Sequence, residues 1–244
     1  MKTLYNKYDK RRISQLPQVL FEGRIVVILS EAEAEKAVDY LLSCAILGVD
    51  TETRPSFKKG RTNEVSLLQV SSHDICFLFR LNIIGMCPAV IRLLEDTTVP
   101  KIGISLHDDL MMLHRRAPFE AGCFIDIQDI VKEIGIEDQS LQKLYANIFG
   151  QRIVKRQQLS NWEAPILNDK QKGYAATDAW TCINLYEEIV RLKETGDYET
   201  IVIPEEEDTL QEVQKVQEVQ KVQEVQGVQK VQEVQKVQGV TINT

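Results

Sequence analysis

Short apolar runs rich in β-branched residues alternate along the chain with longer stretches whose apolar positions recur at helical spacing. Residues 24–29 (RIVVIL) predict a strand, and Ser30 is placed to cap a helix over EAEAEKAVDYLLS, whose acidic first turn suits the helix dipole. Further strands are predicted at 46–51 (ILGVDT), 64–71 (EVSLLQVS), 75–79 (ICFLF) and 101–104. Helices are predicted at 88–96, with Pro88 near the first turn, and at 106–116, 140–149 and 170–194. The polar, basic stretch RPSFKKGRTN between the second and third strands is loop chemistry. Strands come first, strand and helix then alternate, and helices close the chain, so the economical α/β fold is a mixed sheet flanked by helices.

After residue 204 the pattern changes. From Val213 to Val240 every third residue is Val, in VQK, VQE and VQG triplets. A helix turns about 100° per residue, so a period of three swings the valine stripe steadily around the axis, and a strand would alternate it between faces. Neither element buries this pattern well, and one modest apolar side chain per triplet does little against the ordering entropy. The chain is therefore divided into an N-terminal extension at 1–20, read as helical, a folded domain at 21–204, and an acidic linker with a low-complexity tail at 205–244, disordered or a frayed helix.

The 244 residues are 43% hydrophobic and 27% charged, which is an ordinary globular composition. Of the formal net charge of -7, residues 205–244 carry -4, so the folded part is close to neutral. That excludes a general polycation coating nucleic acid and requires any such contact to be local. No run of 18 apolar residues occurs and MKTLYNKYDKRR lacks an apolar signal core, so the expectation is no membrane span and a cytoplasmic location. The five Cys show no CxxC spacing, which predicts reduced thiols and no zinc ribbon.

Three places along the chain concentrate acids where packing alone does not call for them. Asp50 and Glu52 sit at the end of a core strand, and their i,i+2 spacing points both carboxylates to one face. In the helix that follows residue 105, Asp109 flanks the apolar stripe whereas Asp108 lies opposite it, and Ser105-x-x-Asp108 has the spacing of a capping box, which leaves Asp109 without a structural reason. In the last helix Tyr174 and Asp178 are stacked at i,i+4, and Asp178 falls within the apolar stripe of Cys182, Leu185 and Ile189. A carboxylate there must pair with a cation, be protonated or bind a metal.

Taken together, Asp50-Thr51-Glu52, the stretch from Lys101 to Leu110 with its acid at Asp109, and Tyr174-x-x-x-Asp178 resemble, in order, the three motifs of the DEDD 3′-5′ exonucleases. The tyrosine points to the DEDDy branch, which includes ribonuclease D and the Werner-type exonuclease domain, and LSNWE followed by YAATDAW resembles its single-domain bacterial members. The resemblance covers roughly residues 20–195. It implies a ribonuclease H-like fold, a mixed sheet of five or six strands with helices on both faces, and hydrolysis of phosphodiester bonds at the 3′ ends of single-stranded DNA or RNA, releasing nucleoside 5′-monophosphates. It also implies two cations, Mg²⁺ or Mn²⁺, held by Asp50, Glu52, Asp109 and Asp178, with Asp50 shared and Asp109 acting mostly through water. Tyr174 would orient the attacking water or take its proton, and Glu52 would also contact the terminal 3′ hydroxyl. Substrate grip is assigned to Lys58, Lys59 and Arg61, with a second basic patch at Arg152, Lys155 and Arg156, while Phe57 and Trp162 are candidates for base stacking. The alternative is a non-catalytic nucleic-acid-binding module on the same fold.

Overall fold

The computed structural model describes residues 1–56, 60 and 62–204. Phe57, Lys58, Lys59, Arg61 and the valine-repeat tail lie outside the described residues. The strands are β1 (Lys2–Tyr5), β2 (Arg24–Ile28), β3 (Leu47–Thr53), β4 (Val65–Ser71), β5 (Ile75–Phe79), β6 (Lys101–Gly103), β7 (Phe124–Asp126) and β8 (Tyr198–Ile201). The helices are α1 (Lys10–Ile13), α2 (Glu31–Leu41), α3 (Leu81–Ile84), α4 (Pro88–Glu95), α5 (Leu106–His114), α6 (Ile127–Ile130), α7 (Leu141–Phe149) and α8 (Asp169–Thr195).

Six strands form the main sheet in the order β2-β5-β4-β3-β6-β7. β4 runs antiparallel to both its neighbours, and the remaining pairings are parallel. Alternation divides the strand residues between two cores. Val49, Leu68, Val70, Phe77 and Phe79 pack with Ala34, Val38 and Leu41 of α2 and with Val90, Leu93 and Leu94 of α4. On the other face Leu67, Cys76 and Leu78 meet Tyr174, Ala175 and Ala176 of α8, and Ile102 meets Ile183. The fold is the expected mixed sheet flanked by helices.

The expectation of a helical extension at 1–20 is corrected. β1 pairs in parallel with β8, 196 residues away in register, and the four-residue α1 follows it. Leu4 is buried among α7 and α8 residues, and Tyr8 and Ile13 pack against Ala146. Residues 1–20 therefore belong to the same compact unit, Met1–Ile201, as the sheet. A pairing between strands so far apart in the sequence leaves no local periodicity to read.

Caps follow side-chain chemistry in two of the three helices that matter here. Ser30 and Glu33 form a capping box on α2, and Asn168 with Gln171 forms one on α8. The box expected at Ser105 and Asp108 is absent: Ser105 adopts a left-handed backbone (φ 58°) and makes no side-chain cap. Asp126, at the end of β7, supplies the acceptors instead, its carboxylate taking hydrogen bonds from the Ser105 and Leu106 amides at 3.3 and 2.8 Å. Asp108 is exposed, as its position on the wheel requires.

Candidate active site

β3 outruns its neighbour β6, whose register with it covers only Leu47 and Gly48. The end of β3 beyond β6 carries Asp50 and Glu52, and α8 crosses that same face. Gly48 explains how closely: a Cβ built there would lie 1.9 Å from the Ala179 carbonyl oxygen, so strand and helix backbones touch where any other residue would separate them. The contact seats Asp178, one residue before Ala179, over the strand acids. One carboxylate oxygen from each of Asp50, Glu52 and Asp178 lies within 4.8 Å of the others.

Glu52 and Asp178 are buried, and Asp50 is partly exposed. Burial, with the charges of Asp50, Asp178 and Asp109 added, pushes the Glu52 carboxyl up to about 10. Burial and the charges of Asp109 and Asp178 raise Asp50 well above the usual carboxylate range. Asp178 rises to about 7, with burial opposed by its interaction with the Tyr174 hydroxyl and by the charge of Lys155. Tyr174 is itself pushed well above an ordinary phenol, by burial first and then by Asp178 and Glu52, so its hydroxyl stays neutral. Among the described residues the like charges of the cluster outweigh the positive charge that reaches it, which comes from Lys155.

Asp109 stands apart from this trio. Thr51, which alternation turns to the opposite face from Asp50 and Glu52, donates its hydroxyl proton to Asp109 at 2.5 Å. Burial raises the Asp109 carboxyl to about 6 against the lowering effect of that hydrogen bond. Its charge still reaches Asp50, on which it is the largest electrostatic influence.

These residues suit a hard cation. Asp178 Oδ1 is buried without a hydrogen-bond partner among the described residues, an acceptor open to a ligand. An all-oxygen donor set is of the kind that hard divalent cations take.

The other residues singled out in the sequence divide. Lys58, Lys59, Arg61 and Phe57 fall outside the described residues. Trp162 is fully buried, its ring centroid 6.2 Å from that of Tyr174, so it packs behind the tyrosine and presents no face to a base. Arg80 holds the segment around it by donating to the Ala164 carbonyl at 2.6 Å, and Arg54 pairs with Glu163 at 3.0 Å. In the second basic patch Arg152 donates to the Leu16 carbonyl, a structural use, whereas the exposed Lys155 acts electrostatically on Asp50 and Asp178. Gly48 and Thr51 escaped the sequence reading of the site. A glycine in an apolar strand, two residues before an acid, was the one available signal for the first.

A model of the 3′-5′ exonuclease family matches residues 25–193. The chain is 28% identical over 191 residues to the mouse bifunctional 3′-5′ exonuclease/ATP-dependent helicase WRN, an alignment covering 74% of this chain but 14% of that protein. It is 27% identical over 202 residues to a 3′-5′ exonuclease of Arabidopsis thaliana, covering 75% and 70%. Among solved structures, the Aedes aegypti Nibbler EXO domain superposes with a TM-score of 0.65 at 22% identity, covering 73% of this chain and 93% of that one. The chain thus corresponds to only a small part of its mouse relative. The matched span includes all three acidic motifs, the sheet order and helical layers are those of a ribonuclease H-like fold, and the chain belongs to the 3′-5′ exonuclease family.

Proposed function

We propose that this chain is a metal-dependent exonuclease that removes nucleotides from the 3′ ends of single-stranded DNA or RNA and releases nucleoside 5′-monophosphates. The observation that carries the reading is the convergence of Asp50, Glu52 and Asp178, three carboxylates with one oxygen from each within 4.8 Å of the others. Asp50, Glu52 and Asp178 would hold one Mg²⁺ or Mn²⁺, and Asp109, steadied by Thr51, would serve a second beside Asp50. When bound, such ions lower the pKa of water and neutralise charge developing on phosphate oxygens. Tyr174, kept neutral by its surroundings, positions the attacking water through its hydroxyl and is poorly suited to accept a proton as phenolate. Glu52 is placed to contact the terminal 3′ hydroxyl, and Lys155 brings positive charge to the incoming phosphates, with Lys58, Lys59 and Arg61 assigned to the strand beyond.

The test is digestion of 5′-labelled single-stranded DNA and RNA oligonucleotides with Mg²⁺, Mn²⁺ or EDTA, alongside Asp109→Ala. A ladder shortening from the 3′ end, dependent on metal and lost in the variant, supports the reading and ranks the two nucleic acids. Binding without cleavage under every metal would replace it with a non-catalytic nucleic-acid-binding module.

A further inference from the structure

Gln69 of β4 lies directly across from Asp50 of β3, so the two side chains leave the sheet on the same face. This is the face that α8 covers, since Gly48 abuts Ala179 and Leu67 and Leu78 pack with Tyr174 and Ala175. Gln69 is 0% exposed, and neither Oε1 nor Nε2 has a hydrogen-bond partner among the described residues. A primary amide buried with both ends unmet is rare, because it surrenders its bonds to water for nothing. Its other cross-strand neighbour, Leu78, offers no acceptor, and Leu67 along the strand offers none either. Ser71, the next residue of this face along β4, gives its hydroxyl proton to the Ser72 carbonyl, and the carboxylates here are Asp50 opposite and Asp178, whose Oδ1 is likewise buried and unpartnered.

We infer that Gln69 is a positioning residue of the cation site: its Nε2–H, without a partner among the described residues and directly across from Asp50, donates to the Asp50 carboxylate when a cation is held there and fixes which oxygen that carboxylate turns to the metal. The inference rests on the functional reading above and extends it to a residue outside the acidic motifs. Carboxylates that ligate metals are generally held by a hydrogen bond of this kind, and its removal weakens metal binding or activity by about 10- to 100-fold. A leucine of similar size would fill the same apolar surroundings without an unmet amide, so packing alone gives no reason for glutamine here.

The measurement is Mn²⁺ binding by titration calorimetry on the full chain and on Gln69→Leu, with thermal unfolding in EDTA and steady-state kinetics on a labelled oligonucleotide. The expected result is a variant that melts no lower than the parent without metal, binds Mn²⁺ about 10- to 100-fold more weakly, and loses kcat with KM little changed. A merely structural role would do the reverse, lowering the melting temperature and sparing Mn²⁺ affinity, and that result overturns the inference. Gln69→Met, which also keeps the length and lacks the amide, is read by the same criteria and stands in if the leucine variant does not fold. A parent chain that neither binds Mn²⁺ nor cleaves overturns the functional reading itself, whereas parent binding matched by Gln69→Leu overturns the role of Gln69 alone.

Discussion

Thr51, between two acids of β3, faces away from both and donates its hydroxyl proton to Asp109 of α5, 58 residues on. The strand thus serves both faces of the sheet at once, presenting Asp50 and Glu52 to α8 and steadying the acid that α5 brings from the other side. Thr51→Val keeps the shape and removes the donor. A hydrogen bond to a charged group is worth about 1.5 to 3 kcal/mol, so kcat is expected to fall about 10- to 100-fold while one Mn²⁺ still binds at the trio. Titration of bound Mn²⁺ against activity checks this, and full activity in the variant would remove Thr51 from the site.

Asp178→Asn is expected to separate stability from activity. It removes a buried charge from a crowd of like charges, so the metal-free protein should melt higher than the parent. On the proposed reading it also removes a cation ligand, at several kcal/mol of transition-state stabilisation, so cleavage should fall about a thousandfold or more. Calorimetric melting in EDTA and single-turnover cleavage in Mn²⁺ report the two effects, and a lower melting temperature would contradict the electrostatic account.

The same charges set a pH dependence. In the folded state Asp109 lies at about 6, Asp178 at about 7 and Glu52 at about 10, against ordinary values of 3.8, 3.8 and 4.5. Each is raised, so within its window the native state binds more protons than the unfolded chain and stability falls as pH rises. The slope is steepest between 4.5 and about 6, where all three groups differ from the unfolded chain, and persists toward about 10 through Glu52. Urea midpoints in EDTA should therefore be lower at pH 8 than at pH 5, and saturating Mn²⁺, which favours the ionised carboxylates, should flatten or reverse the trend. Midpoints independent of pH in EDTA would argue against the raised values.

Gly48→Ala tests the seat of α8. The added Cβ would fall 1.9 Å from a backbone oxygen, which cannot swing aside as a side chain would. Overpacking of this kind costs about 1 to 3 kcal/mol, or about 3 °C in Tm for each kcal/mol in a domain of this size. Activity should fall further than stability does, because Asp178 moves with the helix. Unaltered melting and cleavage would show that the two backbones have room to part.

The central elements were legible because each satisfies a local rule. The strands at 24–29, 64–71 and 75–79 and the helices at 88–96 and 140–149 differ from the structure by a residue at most, their apolar periods being unbroken. Asp50 and Glu52 were placed by strand alternation and Asp178 by its position in a helical stripe, and the three do converge. What escaped depends on distant partners. β7 has three residues, too few for a period, and β1 has no meaning without β8. Asp126 caps α5 from another strand, so Ser105 and Asp108, correctly spaced for a box, never form one. Lys58, Lys59 and Arg61 lie outside the described residues.

The pairing of β1 with β8, together with the place of Asp178 on α8, has a consequence for the order in which the protein comes into being. Asp50 and Glu52 are synthesised early, but their partner arrives 126 residues after Glu52, on the helix just before the strand that β1 awaits. A chain translated only as far as α7 holds two of the three clustered carboxylates, lacks Tyr174, and leaves β1 unpaired. The three carboxylates therefore cannot be brought together until α8 has been made, so the cluster depends on the last helix of the domain.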